Sequence, residues 1–342
     1  MVNRFKKIKL GIACLLGSAM LFLCGLQFLF RRFPSFAEWV DRTVGAPLRS
    51  GLSRLSSGIP FSLTGLLLVS VPLLFILLLI LGYRALDKKG GFSRFLLSLF
   101  SLLSVFALLF TLTLSPGYHK PPLSEKLSLY VREPSGKELA GVAAWLSGLL
   151  SEKVPPAPAL EELAVRLDAS YRTLGEKYDF PVNREFSIKE ERGGALSALG
   201  IIGLYSFPFG EITLNFEYPP TALAFTLAHE MAHASGYSRE EEADLMAFLA
   251  CLESGDAYLR YAGVLGMLQR VLPALRESSS SLWEAAGEEL PNEAKREMEK
   301  SGRVYEKTAL PTMATEEGKS GHEGLSALLY AYYRRFVSPE GG

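Results

Sequence analysis

The chain of 342 residues carries 36 basic and 36 acidic side chains, so it lacks the basic surplus that neutralises phosphates, and nucleic acid is excluded as a partner. Hydrophobic residues make up 49% of the sequence, and they are concentrated before Leu114. Cys14, Cys24 and Cys251 are too few and too scattered to frame a fold with disulfides.

Three runs are long enough to cross a bilayer, which takes about 20 apolar residues as helix. They extend from Leu10 to Phe30, from Phe61 to Tyr83 and from Phe95 to Leu114. The first is too long for a cleaved signal and no small-x-small site follows it, so it reads as a retained anchor. None of the three holds a central ionisable residue, which favours an anchor over a transport path. Arg4, Lys6, Lys7 and Lys9 precede the first run, and Arg84, Lys88, Lys89 and Arg94 lie between the second and third. The density of positive charge in these short segments predicts a cytoplasmic N-terminus, with everything after Leu114 outside the cytoplasm. Arg31, Arg32, Arg42, Arg49 and Arg54 in the longer first loop oppose that orientation.

After the third run, Pro116 to Pro122 reads as a linker separating an anchor (residues 1–115) from a polar domain (116–342). Ser135-Gly136-Lys137-Glu138 opens a helical pattern to about Lys153, and a second spans about Leu160 to Tyr178. Alternation in Phe186-Ser187-Ile188-Lys189 and in Ile212 to Phe216, punctuated by glycines, marks the one strand region. From Thr221 onward helical patterns dominate. The expected fold class is a membrane protein: three N-terminal transmembrane helices followed by a helix-rich α+β domain.

The chemistry concentrates in one segment. Thr221 to Ser235 reads as a helix with Thr221 at the N-cap, an apolar stripe of Leu223, Leu227 and Met231, and Gly236 just past its end. His229 and His233 stand one turn apart, so both imidazoles leave the same face and are placed to bind one tetrahedral Zn²⁺ per chain. Glu230 is about 100° round the helix, beside the open metal position, where a general base is needed. Two imidazoles do not complete a catalytic site, and no third histidine follows within the next turns. Ser238 to Asp244 begins another helix, with Ser238 and Glu241 as a capping box. Its acids Glu240, Glu241 and Glu242 are the candidates for third ligand. His322 is the leading candidate for an oxyanion donor, with Tyr205 and Tyr237 as others.

Glu240-x-x-Ala243-Asp244, after His229-Glu230-x-x-His233, resembles the Glu-x-x-Ala-Asp/Asn signature of gluzincin-type zinc peptidases. The resemblance implies a zincin-like domain with Glu240 as third ligand and Asp244 as the acceptor that orients His229. It departs in the spacer, where only six residues separate His233 from Glu240. It also implies that the strand before the catalytic helix, Glu211-Ile212-Thr213-Leu214-Asn215, pairs with an extended substrate. The chain as a whole resembles an uncharacterised bacterial domain-of-unknown-function family of three-helix membrane proteins. That similarity runs through Phe207-Pro208-Phe209-Gly210-Glu211, Leu223 to Asp244 and Tyr330-Ala331-Tyr332-Tyr333. Together these imply a zinc-dependent hydrolase of the bacterial cell membrane, a peptidase whose partners are the lipid bilayer and a peptide or protein substrate. The competing reading is a non-catalytic membrane interaction protein with a structural zinc, which would have no need of Glu230 beside an open position.

Overall fold

A helix that is apolar all round has no polar face to turn to water, and two such helices dominate the N-terminal part. They are α4 (Leu63–Leu86) and α5 (Gly91–Thr113), following α1 (Val2–Arg32), α2 (Pro34–Val40), a π-helical turn Asp41–Gly45, and α3 (Ala46–Ser57). The computed structural model describes residues 2–87, 90–183, 185–308 and 322–338, without the side chains of residues 2–15, 305, 308, 322 and 323. At 24 and 23 residues, α4 and α5 are each about 35 Å long, against about 30 Å of bilayer hydrocarbon. Among the described residues these are the two helices long and apolar enough to cross a membrane, and their side chains face outward. The run Leu10 to Phe30 lies within α1, whose first side chains fall outside the described residues. Helix α1 runs beside α5, where Gln27 Nε2 donates to Thr111 Oγ1 at 3.2 Å and Ser115 Oγ donates to Gln27 Oε1 at 2.7 Å.

Residues 34–57, read from sequence as a loop between spans, instead pack on the polar half. Arg42 Nη1 reaches Asp179 Oδ1 at 3.0 Å, Arg54 pairs with Glu185, and Ser53 Oγ donates to Gly210 O. These bonds join segments on either side of the expected boundary at residue 115. Pro116 to Pro122 is no free linker. It forms α6 (Ser115–His119), which is followed by α7 (Leu123–Lys126). A Cβ on the buried Gly117 would meet Ser238 Oγ and Gly236 O. At this junction lies a fully buried ion cluster: Arg49 Nη1 to Asp41 Oδ1 at 2.7 Å, and Lys120 Nζ to Asp41 Oδ2 at 2.9 Å.

The polar half continues through α8 (Gly136–Gly148), α9 (Leu160–Tyr178), β1 (Ser187–Glu191), α10 (Ala195–Ala198), β2 (Gly203–Ser206) and β3 (Glu211–Asn215). Helices α11 (Pro220–Ala234), α12 (Glu240–Glu253), α13 (Ala257–Ser278), α14 (Ser280–Glu289), α15 (Asn292–Thr308) and α16 (His322–Phe336) complete it. The fold is helix-rich α+β. Its core is α11, alanine-rich and buried on nearly every side, which lets β2, β3, α12 and α13 close on it together. Gly266 of α13 is one such approach, since a Cβ there would strike the Phe225 ring.

The sheet order is β1-β3-β2, with β1 parallel and β2 antiparallel to β3. This corrects the expectation for Glu211, Ile212, Thr213, Leu214 and Asn215. Their strand is central, its two hydrogen-bonding edges are already paired, and all five residues are buried. Ile212 and Leu214 are core. Glu211 instead holds the start of α4: its Oε1 accepts from Thr64 N at 2.6 Å and Ser62 Oγ at 2.9 Å, an anion at a helix N-terminus. Asn215 Nδ2 donates to Ile201 O at 3.0 Å and so fixes the loop before β2.

Candidate metal centre

Helix α11 supplies His229, Glu230 and His233, and its position is set on several sides. Tyr171 of α9 donates its buried hydroxyl to Ala228 O at 2.6 Å, one residue before His229. Gly203 of β2 brings the strand against the helix, because a Cβ there would overlap Thr226 and sit 3.3 Å from Glu230 Cγ. The helix begins after Pro219, with Thr221 donating to Glu297 Oε2 at 2.7 Å, not capping the helix. It ends as expected, with Gly236 in the left-handed region at φ +96°.

His229 Nε2 and His233 Nε2 lie 3.0 Å apart. Glu240 Oε2 is 3.2 Å from the first and Glu240 Oε1 is 3.5 Å from the second. These three groups offer ligand atoms within 4.8 Å of one another, so the cluster can hold a metal ion. Two ligand atoms about 2.0–2.1 Å from one tetrahedral ion stand about 3.3 Å apart, close to the spacings found.

The other two acids of the trio are turned elsewhere. Glu242 is buried, with Oε1 accepting from Leu123 N at 2.8 Å and Arg239 Nη1 at 2.7 Å. Glu241 lies against Gly324 of α16, with 3.7 Å from its Cγ to the place a Cβ would take. The expected capping box is absent, since Ser238 Oγ donates to Leu114 O at 2.7 Å and Arg239 occupies the N-cap.

Each imidazole is held through its other nitrogen. His229 Nδ1 is 2.8 Å from Asp244 Oδ1, and His233 Nδ1 is 2.6 Å from Tyr237 O. Donation from Nδ1 in each ring leaves the Nε2 lone pairs facing the shared point. Asp244 is fixed in turn by Arg270 of α13, whose Nε lies 2.7 Å from Oδ2 while its guanidinium rests on the Phe225 ring at 4.6 Å. Burial pushes the Asp244 carboxyl up, but Arg270 and His229 outweigh it and hold it below the usual range. Burial alone would favour a neutral His229, yet Asp244, Glu240 and Glu230 push it up to about 10. Burial opposes the charge on Glu240 too, and its bonds to His229 and His233 pull it well below the usual range. Glu230, Glu240 and Asp244 against the single Arg270 leave a surplus of negative charge, an environment that suits a dication.

Glu230 is not part of the triad. Its Oε2 accepts from Tyr205 N of β2 at 2.6 Å. Because amides alternate in direction along an antiparallel strand, that bond shows that Gly203 and Tyr205 turn their backbone away from β3 and toward α11. Between this strand and the cluster runs a cleft of about 440 Å³, lined among others by Leu114, Tyr118, Ile202 and Leu204.

Of the expected oxyanion donors, His322 opens α16, and its side chain lies outside the described residues. The Tyr205 hydroxyl is buried and senses Arg49 and Asp41, and burial pushes it up to about 12. The Tyr237 ring is buried beneath Lys120, whose Nζ is 4.3 Å from its centroid. Tyr118, which no sequence motif marks, lines the cleft together with Tyr205, and its phenol is raised by burial and by the nearby Glu240.

A helix-borne pair of histidines, an acid from the following helix and a separate carboxylate beside them define a candidate metal centre in a helix-rich α+β protein. The chain belongs to the family described as a protein of unknown function (DUF3810), which it matches over residues 42–322. No curated protein and no solved structure matches it.

Proposed function

We propose that this chain is a membrane-anchored zinc-dependent hydrolase acting on peptides, with a zincin-like centre formed by His229, His233 and Glu240. The observation that carries the reading is that Glu230 stands apart from the three ligand groups yet borders the same cleft. A site that only braced the fold would need neither a second carboxylate nor an opening of about 440 Å³. Two imidazoles and a carboxylate suit zinc, which when bound polarises a carbonyl and lowers the pKa of water to about 7.

The chain's own residues do the rest. Glu230, steadied by the Tyr205 amide, accepts a proton from the attacking water and returns it to the amine as the C–N bond breaks. Asp244 and Tyr237 O fix the ring orientations of His229 and His233. The outward backbone of Gly203 and the outward carbonyl of Tyr205 give an extended peptide an edge to pair with, the Tyr205 amide being taken by Glu230. This is the role that the resemblance assigned to Glu211–Asn215. The bond from Tyr205 to Glu230 also favours a second reading, in which that carboxylate is a structural acceptor and the zinc a brace. Incubation of the zinc-loaded full-length protein with an unbiased peptide library separates the two, because only the hydrolase generates new N-termini that a chelator suppresses.

Glu240→Gln is expected to weaken zinc more than about 100-fold in chelator competition, beyond the 10–100-fold usual for a group that merely orients a ligand. Glu241→Gln and Glu242→Gln should leave the affinity near that of the parent, and equal losses in all three would refute the assignment of Glu240.

In the proposed topology α4 and α5 are spans with α1 beside them. The hairpin tip with Arg84 and Arg94 is cytoplasmic, and the metal centre is on the far side of a bacterial cell membrane. Three arginines that opposed this orientation are neutralised by carboxylates: Arg42 by Glu38 and Asp179, Arg49 by Asp41, and Arg54 by Glu185. An export-dependent reporter should be active when fused after Val337 and silent when fused at Asp87. The reverse pattern would invert the topology.

A further inference from the structure

The geometry points to a substrate class: peptide segments that emerge directly from a membrane anchor, cleaved at the level of the lipid headgroups. This rests on the proposed hydrolase reading and on α4 and α5 as spans.

Both apolar helices are fastened to the elements that build the cleft. At the end of α5, Leu114 O accepts from Ser238 Oγ at 2.7 Å, and Leu114 and Ser238 both line the cleft. Ser238 directly follows Tyr237, whose carbonyl holds His233. Arg239, one residue on, donates Nη2 to Tyr118 O at 2.9 Å and to Lys120 O at 3.1 Å, and it precedes Glu240. The start of α4 is fixed to the other wall. Thr64 N and Ser62 Oγ bond Glu211, and Ser62 Oγ lies 2.8 Å from Thr213 Oγ1, all on the strand that pairs with β2.

The start of one span and the end of the next therefore stand on the side of the centre, and the height of the cleft above the bilayer is set by the hydrogen bonds at these two ends. Tyr118 is five residues beyond Thr113, about 8 Å of helical rise. With about 30 Å of hydrocarbon in a bilayer of about 40–45 Å, each headgroup layer is about 5–7.5 Å deep, so the cleft spans it from Leu114 near the inner edge to Tyr118 at the outer edge. An extended chain covers such a height in under about five residues. A segment leaving a neighbouring span thus reaches the edge of β2 in its first few residues, while the more distant parts of the same protein lie beyond the cleft. Leu114, Ile201, Ile202 and Leu204 give the mouth an apolar lining that suits residues at a membrane boundary.

The test uses the full-length zinc-loaded protein in vesicles of phosphatidylcholine and phosphatidylglycerol. A randomised peptide library is presented either on a single apolar span in the same vesicles or free in solution, and cleavage positions are mapped by mass spectrometry. Tethered peptides should be cut within roughly the first 10 residues outside the bilayer. Cuts spread evenly along the tethered segment, or free peptides cut equally fast at the same sites, would overturn the substrate class and leave the hydrolase reading standing. A second readout needs no activity. A fluorophore at Tyr118→Cys, with Cys14 and Cys24 replaced by Ala and the wholly buried Cys251 retained, should be quenched by nitroxide-bearing headgroups. An unquenched label overturns the inference. Quenching without cleavage of either library overturns the hydrolase reading, and the substrate class falls with it.

Discussion

Replacing Glu230 with Gln should leave zinc content and fold intact while lowering peptide hydrolysis by at least about 10²–10⁴-fold, the usual contribution of a general base. The carboxylate is not among the three ligand groups, so the amide takes nothing away from the metal. The carbonyl oxygen of the introduced side-chain amide can also still accept from Tyr205 N, which preserves the contact between α11 and β2. What the amide lacks is a basic oxygen for the proton of the attacking water. Paired measurements of zinc content and turnover separate this from a folding defect. If the variant retains the parent's rate, Glu230 is no base and the structural-zinc reading takes its place.

Asp41→Asn should destabilise the full-length protein by about 3–5 kcal/mol, the usual consequence of removing one partner from a buried ion pair. Arg49 and Lys120 are wholly buried and share this one carboxylate, and two nitrogens of Arg49 have no acceptor of their own. Burial pushes the Asp41 carboxyl up, but Arg49 and Lys120 outweigh it and hold it below its usual range. Its contribution should accordingly be complete above about pH 4 and fade as pH falls through the lower folded value. Denaturant unfolding in detergent, followed by tryptophan fluorescence, reads the loss. A change under about 1 kcal/mol would mean that the cluster is not a keystone of this junction. Because Gly236 leaves room for Arg49 and Asp41 beside the turn after α11, the variant should also loosen the segment that holds His233.

What could be read in the sequence was what local spacing encodes. The one-turn separation of His229 and His233, and that of Glu240 and Asp244, fix directions on a helix before any tertiary structure is considered, and the structure brings those groups together. The choice among Glu240, Glu241 and Glu242 was not local. It depends on Leu123 N and Arg239 drawing Glu242 inward and on α16 lying beside Glu241. Strand order was equally hidden. Ile212 to Phe216 alternates clearly, but alternation marks a strand without its place in a sheet, and the true edge at the cleft, Gly203–Ser206, is four residues long and too short for alternation to register. Arg270 sits 26 residues beyond Asp244 on a separate helix, and nothing in its sequence neighbourhood marks it. Residues 34–57 and 115–119 read as loop and linker because proline, serine and glycine obscure periodicity. Both become helical and are held there by partners far along the chain, such as Asp179, Gly210 and Ser238.

Metal content of the full-length protein, purified in mild detergent without chelators, tests the central claim most directly. Elemental analysis should find close to one zinc per chain in the parent and in Glu230→Gln, and essentially none in His229→Ala or His233→Ala. Absence of any stoichiometric transition metal from the parent, or its retention after both histidine substitutions, would contradict a metal centre at His229, His233 and Glu240.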